Sequence, residues 1–197
     1  FAAMHDVDFA VISPEKPLAC GVVDALEANH IPCVGPRKAP AQIETSKVFT
    51  RELLEKYNIP GNPWFKVCST VDDLRTCLVH FSMSDHELVL KPDGLTGGKG
   101  VMVQGDHFKS FREAMILGEN MLKGHDKIVV EVKLDGEEFS LQCLVDGATV
   151  IATPPVQDHK RRFAGDLGLN TGGTGSYSDA DHLLPFLKQS DIDDGLD

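Results

Sequence analysis

A chain of 197 residues has room for one large domain or two small ones, and 42% apolar with 25% charged residues is the balance of a globular chain. A formal net charge of −11 excludes a general binder of nucleic acid or of anionic membrane, because both gain affinity from a basic field. No apolar run is long enough to span a bilayer, and Phe1 is not followed by the basic stretch and apolar core of a signal peptide, so a cytoplasmic chain is expected.

The chain starts on Phe1 and stops in an acidic run, Asp191, Asp193, Asp194 and Asp197, so both ends read as cut. From the start, Asp8 to Ile12 is a short apolar run that reads as a strand. Leu18, Val22, Ala25 and Leu26 recur at helical spacing up to Asn29-His30, and Cys33-Val34-Gly35 predicts the next strand. Strand, helix, strand is one parallel unit of an α/β sheet. Ala39 to Tyr57 predicts a helix, with Phe49, Leu53, Leu54 and Tyr57 on one side. Asn58-Ile59-Pro60-Gly61, followed by Asn62-Pro63, ends it by turn chemistry and is the candidate domain boundary.

Trp64 to Cys68 reads as a strand, and Thr70 with Asp73 three residues on predicts a helix start. Glu87 to Lys91 and Val101 to Gln104 predict strands on either side of a glycine-rich loop, and Phe108 to Met121 a helix. Lys127 to Val132, Phe139 to Val145 and Thr149 to Ala152 read as an antiparallel block with Asp135-Gly136 and Asp146-Gly147 as turns. Cys20, Cys33, Cys68, Cys77 and Cys143 have neither metal-ligand nor redox spacing and read as reduced thiols.

The most informative stretch runs from Lys91 through Pro92, Asp93, Gly94, Leu95, Thr96, Gly97, Gly98 and Lys99 to Gly100-Val101. Four glycines in seven residues let the backbone approach a ligand and turn its N–H groups inward. A lysine at a strand end can set a point charge on a phosphate. The stretch is not a Walker A loop: Asp93 stands where that loop has Gly, and Gly100 where it has Ser or Thr. It joins two strands and opens no helix, so it is not a dinucleotide fingerprint. A flap over phosphates and a flexible hairpin with no ligand both remain open on this segment alone.

Five segments, in order, resemble the glycinamide ribonucleotide synthetase family, also called phosphoribosylamine–glycine ligase, of the ATP-grasp type. They are Ser13-Pro14-Glu15-Lys16-Pro17-Leu18; Gly35-Pro36 with Ala41 to Lys47; the loop itself; Leu134 to Ser140; and Gln157-Asp158-His159-Lys160-Arg161 with Gly165-Asp166 and Asn170-Thr171-Gly172-Gly173. The resemblance implies an α/β chain with an ATP-grasp (α+β) fold. Residues 1–62 would be the C-terminal part of an N-terminal α/β domain with its linking helix, 63–131 the small ATP-grasp lobe and 132–197 a truncated large lobe. It implies an ATP-dependent ligase of purine synthesis that joins glycine to 5-phosphoribosylamine through glycyl phosphate, with ATP and Mg2+ or Mn2+, small-molecule substrates, and no nucleic acid or membrane partner.

By the same resemblance Lys47 and Lys91 contact ATP phosphates, and Asp93, Gly94, Gly97, Gly98, Lys99 and Gly100 form the loop over them. Acyl-phosphate formation spreads charge over the transferred group, so such cations stabilise its transition state. Alone, Lys47 reads equally as a solvated helix lysine. Glu131, Val132, Lys133 and Leu134 resemble the hinge whose backbone reads adenine, and Glu138 is the expected ribose partner. If Glu137 to Val145 is a strand, only one of Glu137 and Glu138 faces the ligand. Asp158, His159, Lys160, Arg161, Asp166, Asn170, Thr171, Gly172 and Gly173 are expected on substrate, with Lys91, Lys160 and Arg161 catalytic. His159 reads either as a base or as a structural hydrogen-bonder. Pro14 and Glu15 are expected on phosphoribosylamine, though Glu15 reads as well as a helix-start carboxylate.

The sequence departs from the family pattern at Ser13 for Gly, at Pro92 for Ala or Ser, at Leu169 for Pro and at Thr174 for Met. Nothing after Tyr177 resembles the family's metal carboxylates, so no metal ligand is assigned and the chain alone is expected to be inactive. The competing expectations are another ATP-grasp carboxylate–amine ligase and a degenerate, non-catalytic nucleotide-binding module.

Overall fold

The computed structural model describes residues 1–97, 100–165 and 167–196, with backbone alone at 169 and 170. The chain divides into two compact units, Phe1–Leu134 and Asp135–Asp197.

The first unit opens with a single 3-10 turn (Ala2–His5), then β1 (Ala10–Val11), α1 (Glu15–Ala19), α2 (Val22–Glu27) and β2 (Cys33–Val34). β1 and β2 pair in parallel, as the strand–helix–strand pattern predicts. Leu18, Val23 and Ala41 form the small core over them. The one helix expected there is two, because Gly21 takes φ +80°, a left-handed turn that breaks the ladder and starts α2 afresh. The helix expected over residues 39–57 is also divided, into α3 (Gln42–Thr45) and α4 (Lys47–Lys56). Ser46 between them is extended and caps α4, its hydroxyl accepting from the Phe49 N–H at 3.1 Å. Asn58 (φ +53°) and Gly61 (φ +81°) then turn the chain as expected.

Next come β3 (Phe65–Cys68), α5 (Val71–Phe81), β4 (Leu88–Pro92), β5 (Met102–Val103), α6 (Phe111–Gly124) and β6 (Ile128–Val132). The strands make one antiparallel sheet in the order β3-β6-β4-β5. Its apolar face packs against α5 and α6, with Cys68, Leu74, Leu78, Leu88, Leu90, Ile128 and Val130 at the centre. Both helices start in reciprocal capping boxes, Thr70 with Asp73 and Ser110 with Glu113. The Thr70 side chain and the Ser69 and Thr70 N–H groups hold the Asp73 carboxyl below its ordinary value. The second box starts α6 three residues later than expected: Phe108 is buried before the helix, not in it. All five cysteines are free, with Cys68 and Cys77 in this core.

Period-two alternation gives the sheet its second face. Leu88, Leu90, Ile128 and Val130 point to the core, so Val89, Lys91, Val129 and Glu131 lie on the other side, against α4. β6 is thus central in this sheet, paired on both edges, and is not the first strand of the later antiparallel block that the sequence predicts.

The second unit holds β7 (Cys143–Asp146), β8 (Thr149–Ala152), β9 (Gln157–Asp158), β10 (Arg161–Phe163), β11 (Leu167–Asn170), β12 (Ser176–Tyr177) and α7 (Gln189–Leu196). β7 and β8 form the expected hairpin across Asp146-Gly147. The expected strand at 139–145 is shorter, and Glu137 and Glu138 lie outside it, so alternation does not choose between them. Pro155, Leu184 and Ile192 are the buried apolar side chains of this unit among the described residues. Among those residues no helix is long and apolar enough to cross a membrane.

Candidate functional site

The glycine-rich loop leaves β4 and returns as β5, antiparallel with register Val89↔Val103 and Leu90↔Met102, which places it between two strands as the sequence predicts. At its foot, the alternation that takes Lys91 away from the core also takes Glu131 there. Val89 pairs with Glu131, so Lys91 is the diagonal neighbour on the same face, and its Nζ is ion-paired to Glu131. The Glu131 side chain is only 5% exposed and also accepts from Arg51 Nε at 2.8 Å. A buried carboxylate needs such company, since leaving water costs several kcal/mol per ion, roughly, before pairing. Arg51 reaches it from α4 and is fixed by Asn62: Nη1 donates to Asn62 Oδ1 at 3.2 Å, and Asn62 Nδ2 donates to the Arg51 carbonyl at 3.1 Å.

Asp93, expected in the loop, is tied to the start of α4. Its carboxylate accepts from Ser46 Oγ at 3.0 Å and from the Val48 N–H at 3.1 Å. A carboxylate at a helix N-terminus is favourable, and this one joins α4 to the end of β4. Lys47 is the first residue of α4, where a positive charge meets the positive end of the helix. Its Nζ donates to the Gly94 carbonyl at 2.7 Å. Burial lowers its pKa, nearby Lys91 lowers it further, and Asp93 and Glu131 partly offset this. Lys47 is thus a half-buried cation beside a second cation and on a helix N-terminus, only partly offset by the carboxylates near it. Such a position favours a phosphate, through the helix N-terminus and the paired cations.

Gly94 (φ +87°) and Gly97 (φ +59°) take backbone angles that only glycine adopts freely, and nothing would meet a Cβ on either. At Gly100 a Cβ would meet Pro92 Cγ at 2.7 Å, so that glycine permits a close approach to the strand end. Gly98 and Lys99 lie outside the described residues. Further along β6, the Val132 N–H donates to the Trp64 carbonyl at 3.0 Å and the Lys133 N–H to the Glu87 carbonyl at 2.8 Å. Those two donors are committed inside the sheet. Leu134 is 68% exposed just past it. Pro14 caps α1 and Glu15 is its first residue, exposed, the position of a helix-start carboxylate.

In the second unit, residues 157–177 form one antiparallel ribbon. β9 pairs with β12 (Asp158↔Ser176) and β10 with β11 (Arg161↔Asn170). Between those pairs three steps on one strand face six on the other, so Thr171, Gly172 and Gly173 bulge from the ribbon beside His159 and Lys160. The Thr171 hydroxyl donates to the Lys160 carbonyl at 3.0 Å and accepts from the Gly173 N–H at 3.1 Å. Thr174 Oγ1 donates to the His159 carbonyl at 2.9 Å. The two stretches predicted on substrate are thereby brought together. Asp166 and the Asn170 side chain lie outside the description.

Lys160 Nζ is ion-paired with Glu138, the expected ribose partner, with side chains 41% and 71% exposed. Arg161 Nη1 donates to the Gly168 carbonyl at 2.9 Å. The His159 ring stacks on Tyr177 at 5.7 Å between centroids, and the Tyr177 hydroxyl donates to Gln157 Oε1 at 2.9 Å. Ser46, Arg51, Asn62 and Tyr177 belong to these arrangements and are not among the sequence-predicted residues. For Arg51 the available signal was Glu131 itself, an acid inside the apolar run Ile128-Val129-Val130-Glu131-Val132, which must find a cation. Among the described residues no three His, Cys, Asp or Glu side chains converge to hold a metal ion.

The sequence matches two family models, described as "Phosphoribosylglycinamide synthetase, N domain" over residues 1–44 and "Phosphoribosylglycinamide synthetase, ATP-grasp (A) domain" over residues 45–194. The phosphoribosylamine–glycine ligase of Methanobrevibacter smithii is 46% identical over 200 residues, covering 100% of this chain and 45% of that protein. That of Methanocella arvoryzae is 47% identical over 196 residues, with coverages of 100% and 44%. The chain thus spans less than half the length of the curated relatives it matches. The crystal structure of the Thermotoga maritima phosphoribosylamine–glycine ligase matches with a TM-score of 0.64 at 35% identity, over 73% of this chain and 36% of that one. A D-alanine–D-alanine ligase from Bacillus anthracis, 19% identical with a TM-score of 0.64 over 97% of this chain and 59% of its own, shares the fold.

Proposed function

The chain belongs to the phosphoribosylglycinamide synthetase family, and from that premise we propose that it supplies the nucleotide-binding part of an ATP-dependent ligase of purine synthesis. The reaction joins glycine to 5-phosphoribosylamine and yields glycinamide ribonucleotide, ADP and phosphate. In this reading residues 1–62 complete an N-terminal α/β domain, 63–131 are the small ATP-grasp lobe and 132–197 belong to the large one. The reaction takes place in the cytoplasm.

One observation carries the proposal. Lys47 Nζ sits on the Gly94 carbonyl, at the foot of the glycine-rich loop, beside Lys91 and at the positive end of α4. That set is built for phosphate. A glycine carboxylate oxygen attacks the γ-phosphorus while the bond to the ADP oxygen breaks. Lys47 and Lys91 offset the negative charge gathering on the phosphoryl oxygens. The amine of 5-phosphoribosylamine then attacks the acyl carbon of glycyl phosphate. Phosphate leaves with its oxygen, and the nitrogen gives up a proton. Lys160 and Arg161, on the ribbon beside the Thr171–Gly173 bulge, supply cations for the substrate carboxylate or phosphate. Leu134 offers the first backbone donor past the sheet for the adenine edge. Glu138 takes the ribose hydroxyls once Lys160 releases it. His159, stacked on Tyr177, is the candidate to receive the amine proton.

Reactions of this kind use a divalent metal, Mg2+ or Mn2+. Among the described residues no three His, Cys, Asp or Glu side chains converge on a site for one, and the chain alone is expected to show no sustained turnover. The test is a chimera in which this chain replaces the matching segment of a full-length relative. ADP release that requires glycine and 5-phosphoribosylamine together supports the proposal. Release with a different acid, or none with this pair despite ATP binding, contradicts it.

A further inference from the structure

Glu131 carries two cations, and the phosphate-binding role proposed above for Lys91 uses only one of them. While Lys91 Nζ rests on Glu131, the carboxylate is doubly compensated, with Arg51 Nε at 2.8 Å on its other oxygen. When Lys91 turns to a phosphate, a carboxylate only 5% exposed loses one partner. With no second cation beside it, Glu131 would either hold Lys91 back or be left as an uncompensated buried charge.

Arg51 is placed to prevent this. Its guanidinium meets Glu131 through Nε and Asn62 through Nη1 at once, which a point-charge ammonium cannot do. Asn62 also donates to the Arg51 carbonyl, so the arginine is anchored to its own turn of chain, independently of Lys91. We infer that Arg51 is a positioning residue that keeps Glu131 compensated and so frees Lys91 Nζ to move from Glu131 to a nucleotide phosphate. The inference rests on the phosphate reading of Lys91.

The experiment titrates the 197-residue chain with ATP and with adenosine, which lacks the phosphates, and reads the ratio of the two affinities. Circular dichroism confirms that each variant is folded. Arg51→Met is expected to lower the ratio at least about tenfold, because removing one partner of a buried pair costs more than 1.4 kcal/mol, roughly the equivalent of tenfold. Adding Glu131→Gln to Arg51→Met removes the competing carboxylate and should restore most of the ratio. Asn62→Ala keeps every charge and removes only the anchor. It should lower the ratio by about threefold, the size of one or two ordinary hydrogen bonds.

No preference for ATP in the unaltered chain, or a preference untouched by Lys91→Met, overturns the phosphate reading itself. A ratio that falls in Lys91→Met but holds in Arg51→Met overturns this inference alone. So does a fall in Arg51→Met that Glu131→Gln does not repair. Should Arg51→Met fail to fold, an unchanged ratio in Asn62→Ala overturns it as well.

Discussion

The two units place their charged groups in opposite ways. In residues 1–134 the carboxylate that orders the site is all but buried, on the back of a four-stranded sheet whose other face holds the main core. In residues 135–196 the pair Lys160–Glu138 stands in solvent, on a ribbon carried by few buried side chains. Burial makes the first set rigid: a desolvated ion pair has one low-energy arrangement, and removing a member is costly. Exposure makes the second set cheap to rearrange, because water competes for both charges. In the proposed ligase the first set would hold phosphates in a fixed place, and the second would let Lys160 and Glu138 part and meet different ligands.

That contrast can be broken by mutation, and Glu131→Ala should have the largest effect on stability. It leaves Lys91 and Arg51 close together and mostly buried, and urea unfolding should show a loss of about 3 kcal/mol or more. A loss near zero would mean that the pair does not organise the first unit. Gly118→Ala tests how tightly α6 packs on α5, since the new Cβ would meet Leu74 Cδ2 at 2.5 Å. Overpacking should cost roughly 1–3 kcal/mol and exceed the gain in helix propensity. An increase in melting temperature would show slack in that core. Glu138→Ala, the exposed counterpart of Glu131→Ala, should change unfolding free energy by less than about 1 kcal/mol. A loss as large as that of Glu131→Ala would erase the distinction between the units.

The smallest effect is a pH slope. Burial holds the Lys47 ammonium below its ordinary value of 10.5. Between its folded value and 10.5 the unfolded chain therefore binds more protons than the folded one, and stability rises with pH through that alkaline window. Lys47→Met should flatten the rise when urea midpoints are compared across the window. An unchanged slope would mean that Lys47 is not desolvated.

Much of this was legible in the sequence where short-range chemistry decides the outcome. Thr70 and Asp73 announced a capping box, Asp146-Gly147 a hairpin turn, and four glycines after Lys91 a loop between two strands. Where distant partners decide, the reading fell short. Val129, Val130 and Val132 give β6 its strand character but do not say that β3 and β4 flank it. The helix break at Ser46 depends on Asp93, 47 residues on, which accepts from its hydroxyl and which no local pattern signals. The family resemblance points to the Glu131 backbone, whereas the ion pairs with Lys91 and Arg51 are made by its side chain. Strand alternation does not separate Glu137 from Glu138, because their segment is not a strand. The ribbon bulge at Thr171–Gly173 depends on a register that no local pattern encodes.

The central claim is that Lys91 meets the transferred phosphoryl group. Its most direct test is the rate of ADP formation by the chimera with glycine and 5-phosphoribosylamine saturating, compared between the Lys91 form and Lys91→Ala. Loss of a preorganised charge on the developing phosphoryl oxygens predicts a fall in kcat of about a hundredfold or more. A Lys91→Ala chimera that forms ADP at close to the parent rate would contradict the account.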